Sequence, residues 1–82
     1  MTDAWTATRA ELKNQVGAAF FDAQFSSLRL LRHDDVRWVL GTHDEMIALV
    51  TEKNYRGLIE ACVEMATGAA VAVAIETVAG LA

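Results

Sequence analysis

The run His43, Asp44 and Glu45 is the densest group of possible metal ligands in this 82-residue chain. Imidazole and carboxylate groups bind zinc and similar ions, but the second histidine and the single cysteine do not complete a usual ligand spacing. The run instead opens an amphipathic segment, where acidic side chains stabilise the positive end of a helix. We therefore interpret it as a helix start, and we predict neither a metal site nor another cofactor.

Patterns typical of nucleophilic catalysis or nucleotide binding are absent from the sequence. Ser26 and Ser27 have no base at a suitable spacing, and they follow an aromatic segment as a helix end would. Asp34 and Asp35 fall in a predicted turn, where adjacent acids are usually solvated. The glycines are too scattered for a phosphate-binding loop. The sequence therefore predicts a protein that is not an enzyme.

The charge balance weighs against strong nucleic-acid binding. The net charge is −4 and the isoelectric point is near 4.9, whereas affinity for phosphate backbones comes mainly from Lys and Arg. Arg29, Arg32 and Arg37 nevertheless lie close together, either as a solvated strand edge or as a weak basic patch. A weak single-stranded nucleic-acid site built from Trp38 and these arginines is our third hypothesis. It ranks last because Trp38 alternates with Arg37 and is expected to face the core.

The cysteine content and the apolar runs predict a cytoplasmic protein. Cys62 is the only cysteine, so no intramolecular disulfide is possible, and we expect it to be a small buried hydrophobe. Charged residues between positions 9 and 13 interrupt the first apolar run, which excludes a typical signal peptide. The apolar tract 69–82 is too short to span a bilayer. We expect no membrane association.

Two helices are predicted at the start of the chain. Residues 3–16 have apolar side chains near one face, with Thr2 or Asp3 as the cap, and Gly17 ends the pattern. A second short helix is expected over residues 18–26. It carries three phenylalanines, of which Phe21 and Phe25 share a face while Phe20 points elsewhere.

A hairpin and a long helix follow. The segments 28–32 and 36–40 predict two antiparallel strands around a turn. Residues 42–68 then predict one long helix, or two helices joined near Asn54, which lies on the apolar face where an unsatisfied amide is unfavourable. Thr42 and Glu45 fit a capping box at its start, and Gly68 fits a left-handed helix end.

The final segment, residues 70–78, alternates valine and isoleucine with alanine and predicts a third strand. The order α-α-β-β-α-β predicts an α+β fold with a single domain over residues 1–82. We expect a small KH-like sandwich, in which a three-stranded sheet is covered by helices on one face. RNA-binding KH domains use a G-x-x-G loop, and this sequence has none.

The order of the apolar and aromatic residues is similar to that of one known family. It comprises Trp5, Leu12, Val16, Phe21, Phe25, Leu28, Met46, Val50 and Tyr55, followed by a glycine and an alternating strand. Over nearly all 82 residues, this order resembles the N-terminal domain (domain I) of the bacterial replication initiator DnaA. The chain departs from the family at its A-P-N motif, which is replaced by residues 41–43, and at three aromatic positions, which Gln24, Met46 and Val50 replace.

The resemblance implies a protein-interaction module of DNA replication initiation. In the family, the domain self-associates through a face that includes the tryptophan matched by Trp5, giving homodimers or oligomers. It also contacts the replicative helicase and regulatory proteins through positions matched by Phe20, Phe21 and Met46. The family commonly has an acidic residue where this chain has Phe20, and Asp22 on the other side could replace that acid only at a rotated interface.

The same fold is also found in a different class of protein. The C-terminal domain of the clamp-loader tau subunit has a similar sandwich and binds DNA polymerase, and an orphan plasmid or phage replication protein is a related alternative. Met1 favours a natural N-terminus, which suits the first domain of an initiator better. Recovery of a polymerase without helicase or initiator would favour the tau-like alternative.

Overall fold

The computed structural model describes residues 3–79, so Met1, Thr2 and residues 80–82 lie outside the described range. Helix α1 spans Ala4–Val16 and helix α2 spans Ala18–Gln24. Both predicted helices are confirmed, although α2 ends two residues before the predicted limit. Asp3 is the cap of α1, and Thr2, the alternative cap, lies outside the described residues.

Local hydrogen bonds and one glycine fix the ends of α1. The Asp3 carboxylate accepts hydrogen bonds from the backbone N–H of Thr6 at 2.8 Å and from the Thr6 hydroxyl at 3.1 Å. These bonds lower the pKa of the Asp3 carboxyl. At the other end Gly17 has φ of 88°, a conformation that glycine adopts without steric cost. The chain therefore turns sharply between α1 and α2.

Strands β1 (Arg29–His33) and β2 (Arg37–Thr42) form the predicted antiparallel hairpin. Both strands lie one or two residues further along the chain than predicted. A β-bulge shifts the register between Leu30 and Arg32, which places the intervening Leu31 outside the regular pairing. Bulges of this kind bend a strand and interrupt its free edge.

The long helical segment is divided in three. Helix α3 spans Glu45–Val50, a π-helical turn spans Thr51–Tyr55, and helix α4 spans Arg56–Thr67. We call the middle part the π turn. Gly68 ends α4 with φ of 78°, as the predicted left-handed stop requires. The predicted junction near Asn54 therefore corresponds to the π turn.

Two details of the predicted long helix are wrong. Thr42 does not cap it, because Thr42 is the last residue of β2 and is fully buried, and Asp44 is the cap instead. Asn54 is exposed rather than on the apolar face. The π turn adds a residue to one helical turn and so rotates the apolar stripe. Ala48 and Thr51 consequently face the protein interior, while Met46 faces outward.

Strand β3 spans Ala72–Thr77 and lies parallel to β2, which gives a mixed sheet in the order β1-β2-β3. A parallel pair needs a long crossover, and the segment from α3 to α4 provides it. The structure thus confirms a small α+β fold with a three-stranded sheet. Among the described residues, no helix has the length and apolar character needed to cross a membrane.

The core fills the space between the helices and one face of the sheet. Its buried members are Leu12, Phe21, Phe25, Leu28, Trp38, Leu40, Ile59, Cys62, Val63, Val71 and Val73. Val39, between Trp38 and Leu40, lies on the opposite face of β2 because side chains alternate along a strand. It is also buried, at 4% exposure, although it is not part of this core cluster.

Candidate interaction surface

The His43–Glu45 run is a helix start, as the sequence indicates. One oxygen of Asp44 accepts hydrogen bonds from the backbone N–H groups of Met46 and Ile47, at 3.0 and 3.1 Å. These contacts occupy the carboxylate as an N-cap. Within residues 3–79, no cluster of three or more His, Cys, Asp or Glu side chains is placed to hold a metal ion.

The contacts of Asp34 and Cys62 indicate structural roles for both residues. Asp34 accepts hydrogen bonds at 2.8 Å from the backbone N–H groups of Val36 and Arg37, and these bonds lower the pKa of its carboxyl. Burial raises the pKa of the Cys62 thiol, and the charge of Glu11 adds to this effect. The thiol therefore stays protonated at neutral pH and is a weak nucleophile.

In the hairpin, Trp38 lies on one face of the sheet, and the arginines of our third hypothesis lie on the other. Trp38 is only 4% exposed, and its ring lies 5.8 Å from that of His33, so it offers no platform on which a base could stack. Arg37 is exposed, and Arg32 forms an ion pair with Glu76 at 2.7 Å on the other face of the sheet. The prediction that Trp38 faces the core is confirmed.

Trp5 lies in the first turns of α1, and it is partly buried. Its side chain packs against the edge of the hydrophobic core, as do Ala4 and Val16 of the same helix. Trp5 thus contributes to the packing of a small domain and also retains accessible surface. Its substitution is expected to affect stability as well as any contact made by that surface.

The two adjacent phenylalanines of α2 have different environments. Phe20 is 40% exposed, and its ring centroid lies 5.6 Å from that of Tyr55 and 5.8 Å from that of Phe25. Phe21 is 5% exposed, and the Arg9 guanidinium lies 5.6 Å from its ring centroid. The structure therefore makes Phe20 accessible and places Phe21 in the core, where a partner would not reach it without rearrangement.

Asp22 and Met46 are both accessible. Asp22 is exposed on α2, and Met46 is 65% exposed in the first turn of α3. Gln24 at the end of α2 donates a hydrogen bond to the Thr51 hydroxyl at 3.2 Å, which attaches α2 to the π turn. Phe20 and Asp22 are two positions apart on α2, so their side chains point to different sides of that helix. Together with Met46, they are the three accessible members of the four predicted partner-binding residues.

Two features of the site were missed by the sequence analysis. Leu49 is 61% exposed, one turn after Met46 on α3. Glu52 and Glu60 accept hydrogen bonds from backbone N–H groups of β3, at 2.9 Å from Ile75 and 2.8 Å from Val73. A regular helical periodicity cannot reveal either feature, because the π turn changes which residues face outward.

Comparisons with known proteins do not assign the chain to a family. No family model matches the sequence. No curated protein shows significant similarity to it. Inference of the function therefore depends on the residues and their geometry, together with the resemblance in residue pattern.

Proposed function

We propose that this chain is a non-catalytic protein-interaction and self-association domain that acts in bacterial DNA replication initiation, in the cytoplasm. The observation that carries the proposal is the accessibility of Phe20 and Met46. The resemblance to DnaA domain I matches both positions to partner contacts. Aromatic residues and methionine are enriched in protein interfaces relative to the rest of the surface.

The accessible residues of the predicted set offer two kinds of contact. Phe20 and Met46 present apolar side chains, and Asp22 supplies a negative charge on a different side of α2. A partner would present an apolar pocket to Phe20 or Met46, and a basic group where it also reaches Asp22. The replicative helicase or a regulator of initiation is the partner class that the resemblance implies.

Self-association is proposed to use Trp5. A Trp5→Ala substitution is expected to shift the monomer–dimer equilibrium toward monomer in sedimentation equilibrium, because a tryptophan is commonly a dominant contact in an interface. Trp5→Phe keeps most of the packing against the core and serves as a control for stability. Met65→Ser, at a 55% exposed position on α4, is the control for loss of exposed apolar area. A strictly monomeric wild-type protein at millimolar concentration would contradict self-association.

Partner docking is tested separately, with purified replicative helicase and purified DNA polymerase. We expect helicase to bind the wild-type chain and to bind Phe20→Ser and Met46→Ser variants about tenfold more weakly, since each loses an apolar contact. Met65→Ser is expected to bind like the wild type. Binding of polymerase without helicase would replace this proposal with the tau-like alternative.

A further inference from the structure

A shallow groove of about 450 Å3 lies between α3 and the edge strand β3. It is lined by Glu45, Ala48, Leu49, Glu52, Ile75 and Thr77. Leu49 is 61% exposed, so a partner could bury a substantial apolar area there. The groove has an apolar floor and carboxylates among its lining side chains.

The last residue of β3, Thr77, lines this groove. Ala72 and Val78 donate to carbonyls on the β2 side, at 2.9 Å each, so the N–H groups of alternate residues between them point away from the sheet. Glu60 and Glu52 accept from the first two of these groups, those of Val73 and Ile75. For the third, that of Thr77, no acceptor is found among residues 3–79.

The charge of the groove selects the type of partner. Glu45 is exposed in the first turn of α3, and Glu52 is shared between the Ile75 N–H and Arg56, whose ion pair with it measures 2.9 Å. The chain as a whole carries a net charge of −4. Lys or Arg side chains on a partner would complement these carboxylates, and they would also speed association.

We propose that the groove binds a cationic, apolar peptide segment of another protein in extended conformation. An apolar side chain of the segment packs against Leu49 and Ile75, and a basic side chain pairs with Glu45. A backbone carbonyl of the segment accepts the Thr77 N–H, which adds a short strand to the end of β3. The glutamates that occupy the rest of the edge confine this pairing to the Thr77 end.

The test uses two blocked six-residue peptides, KKLVLK and EELVLE, titrated into the 15N-labelled protein and followed by NMR. We expect KKLVLK to shift the amide signals of Glu45, Leu49 and Thr77 in a saturable manner, with a dissociation constant below about 1 mM. EELVLE is expected to cause no saturable shift, because its acids meet the carboxylates of the groove. Saturable shifts confined to these residues would also locate the site.

Matched variants separate the groove from general charge attraction. Leu49→Ser is expected to weaken KKLVLK binding about tenfold, and Glu45→Lys about fivefold. Glu64→Lys makes the same charge change on the exposed face of α4 and is expected to alter affinity by less than about twofold. Equal effects of Glu45→Lys and Glu64→Lys would overturn the proposal. The absence of saturable KKLVLK binding up to about 2 mM would overturn it too.

This inference stands apart from the proposed role in replication initiation. Trp5→Ala and Phe20→Ser are expected to leave KKLVLK binding unchanged, since neither residue lines the groove. A monomeric protein that fails to bind helicase but binds KKLVLK would refute only the proposed function. A protein that binds helicase but not KKLVLK would refute only the groove.

Discussion

The two edges of the sheet are protected by different means. At the β3 edge, the carboxylates of Glu60 and Glu52 accept hydrogen bonds from outward backbone N–H groups of the strand. At the β1 edge, no side chain among residues 3–79 accepts from an outward N–H of the strand. That edge instead has a bulge after Leu30 and the exposed Arg29 and Arg32, features that discourage pairing with another chain.

The crossover explains this difference. β3 is parallel to β2, so the chain must travel back along the sheet through the π turn and α4, and this passage brings two glutamates to the β3 edge. β1 is joined to β2 by a tight turn, which brings no helix past its free edge. In this protein, two side chains from the crossover cover the β3 edge, whereas a bulge and exposed charges protect the hairpin edge.

The largest effect is expected at the β3 edge. Glu60→Ala leaves the N–H of the buried Val73 without its acceptor, and we expect it to lower the free energy of unfolding by about 2 kcal/mol in urea denaturation. Glu60→Gln keeps an acceptor oxygen and is expected to lose less than half as much. Glu64→Ala, one helical turn further on, is the control and is expected to change stability by less than about 0.5 kcal/mol. An equal loss in Glu60→Ala and Glu64→Ala would show that the edge contact is unimportant.

An intermediate, pH-dependent effect is expected at the turn of the hairpin. The hydrogen bonds that Asp34 accepts hold the pKa of its carboxyl below the usual 3.8, so its stabilising contribution is complete above that pH. The contribution is lost as the pH falls through the lowered pKa, when the folded-state carboxylate is protonated. We therefore expect the difference in urea midpoint between the wild type and Asp34→Ala to be present at pH 7 and to shrink below pH 3.8. A difference that does not change with pH would contradict this assignment.

The smallest effect is expected on the outer face of the sheet. Arg32→Ala removes the exposed ion pair with Glu76, and we expect the free energy of unfolding to fall by less than about 1 kcal/mol, and by less still in 0.5 M salt.

The comparison of the two sheet edges becomes sharper if Arg29 and Arg32 are both replaced by valine. That double variant is expected to form concentration-dependent oligomers, detectable by light scattering, while Glu60→Ala is not.

The apparent periodicity of the long helix shows where sequence reasoning fails. Met46 and Val50 continue an apolar stripe at four-residue spacing, yet Met46 is 65% exposed. The π turn between α3 and α4 changes which side chains of the two helices lie on the same face. At that turn the Thr51 hydroxyl accepts a hydrogen bond from Gln24, which lies 27 residues away in the sequence. The family pattern gave Phe20 and Phe21 the same role, whereas the helical spacing, which puts Phe21 and Phe25 on one face and Phe20 on another, predicted the observed difference in exposure.

The sequence alone determined the class of fold, the ends of α1, the hairpin turn and the end of α4. Asp3, Gly17, Asp34 and Gly68 act through hydrogen bonds or dihedral angles within four residues, so their effects are readable locally. Only the tertiary structure decided which glutamates close the β3 edge, because their partners lie 13 and 23 residues away. It also decided which face of α3 is exposed, since that depends on the phase of the π turn. The exposure of Met46 and the lining of the groove both depend on that phase.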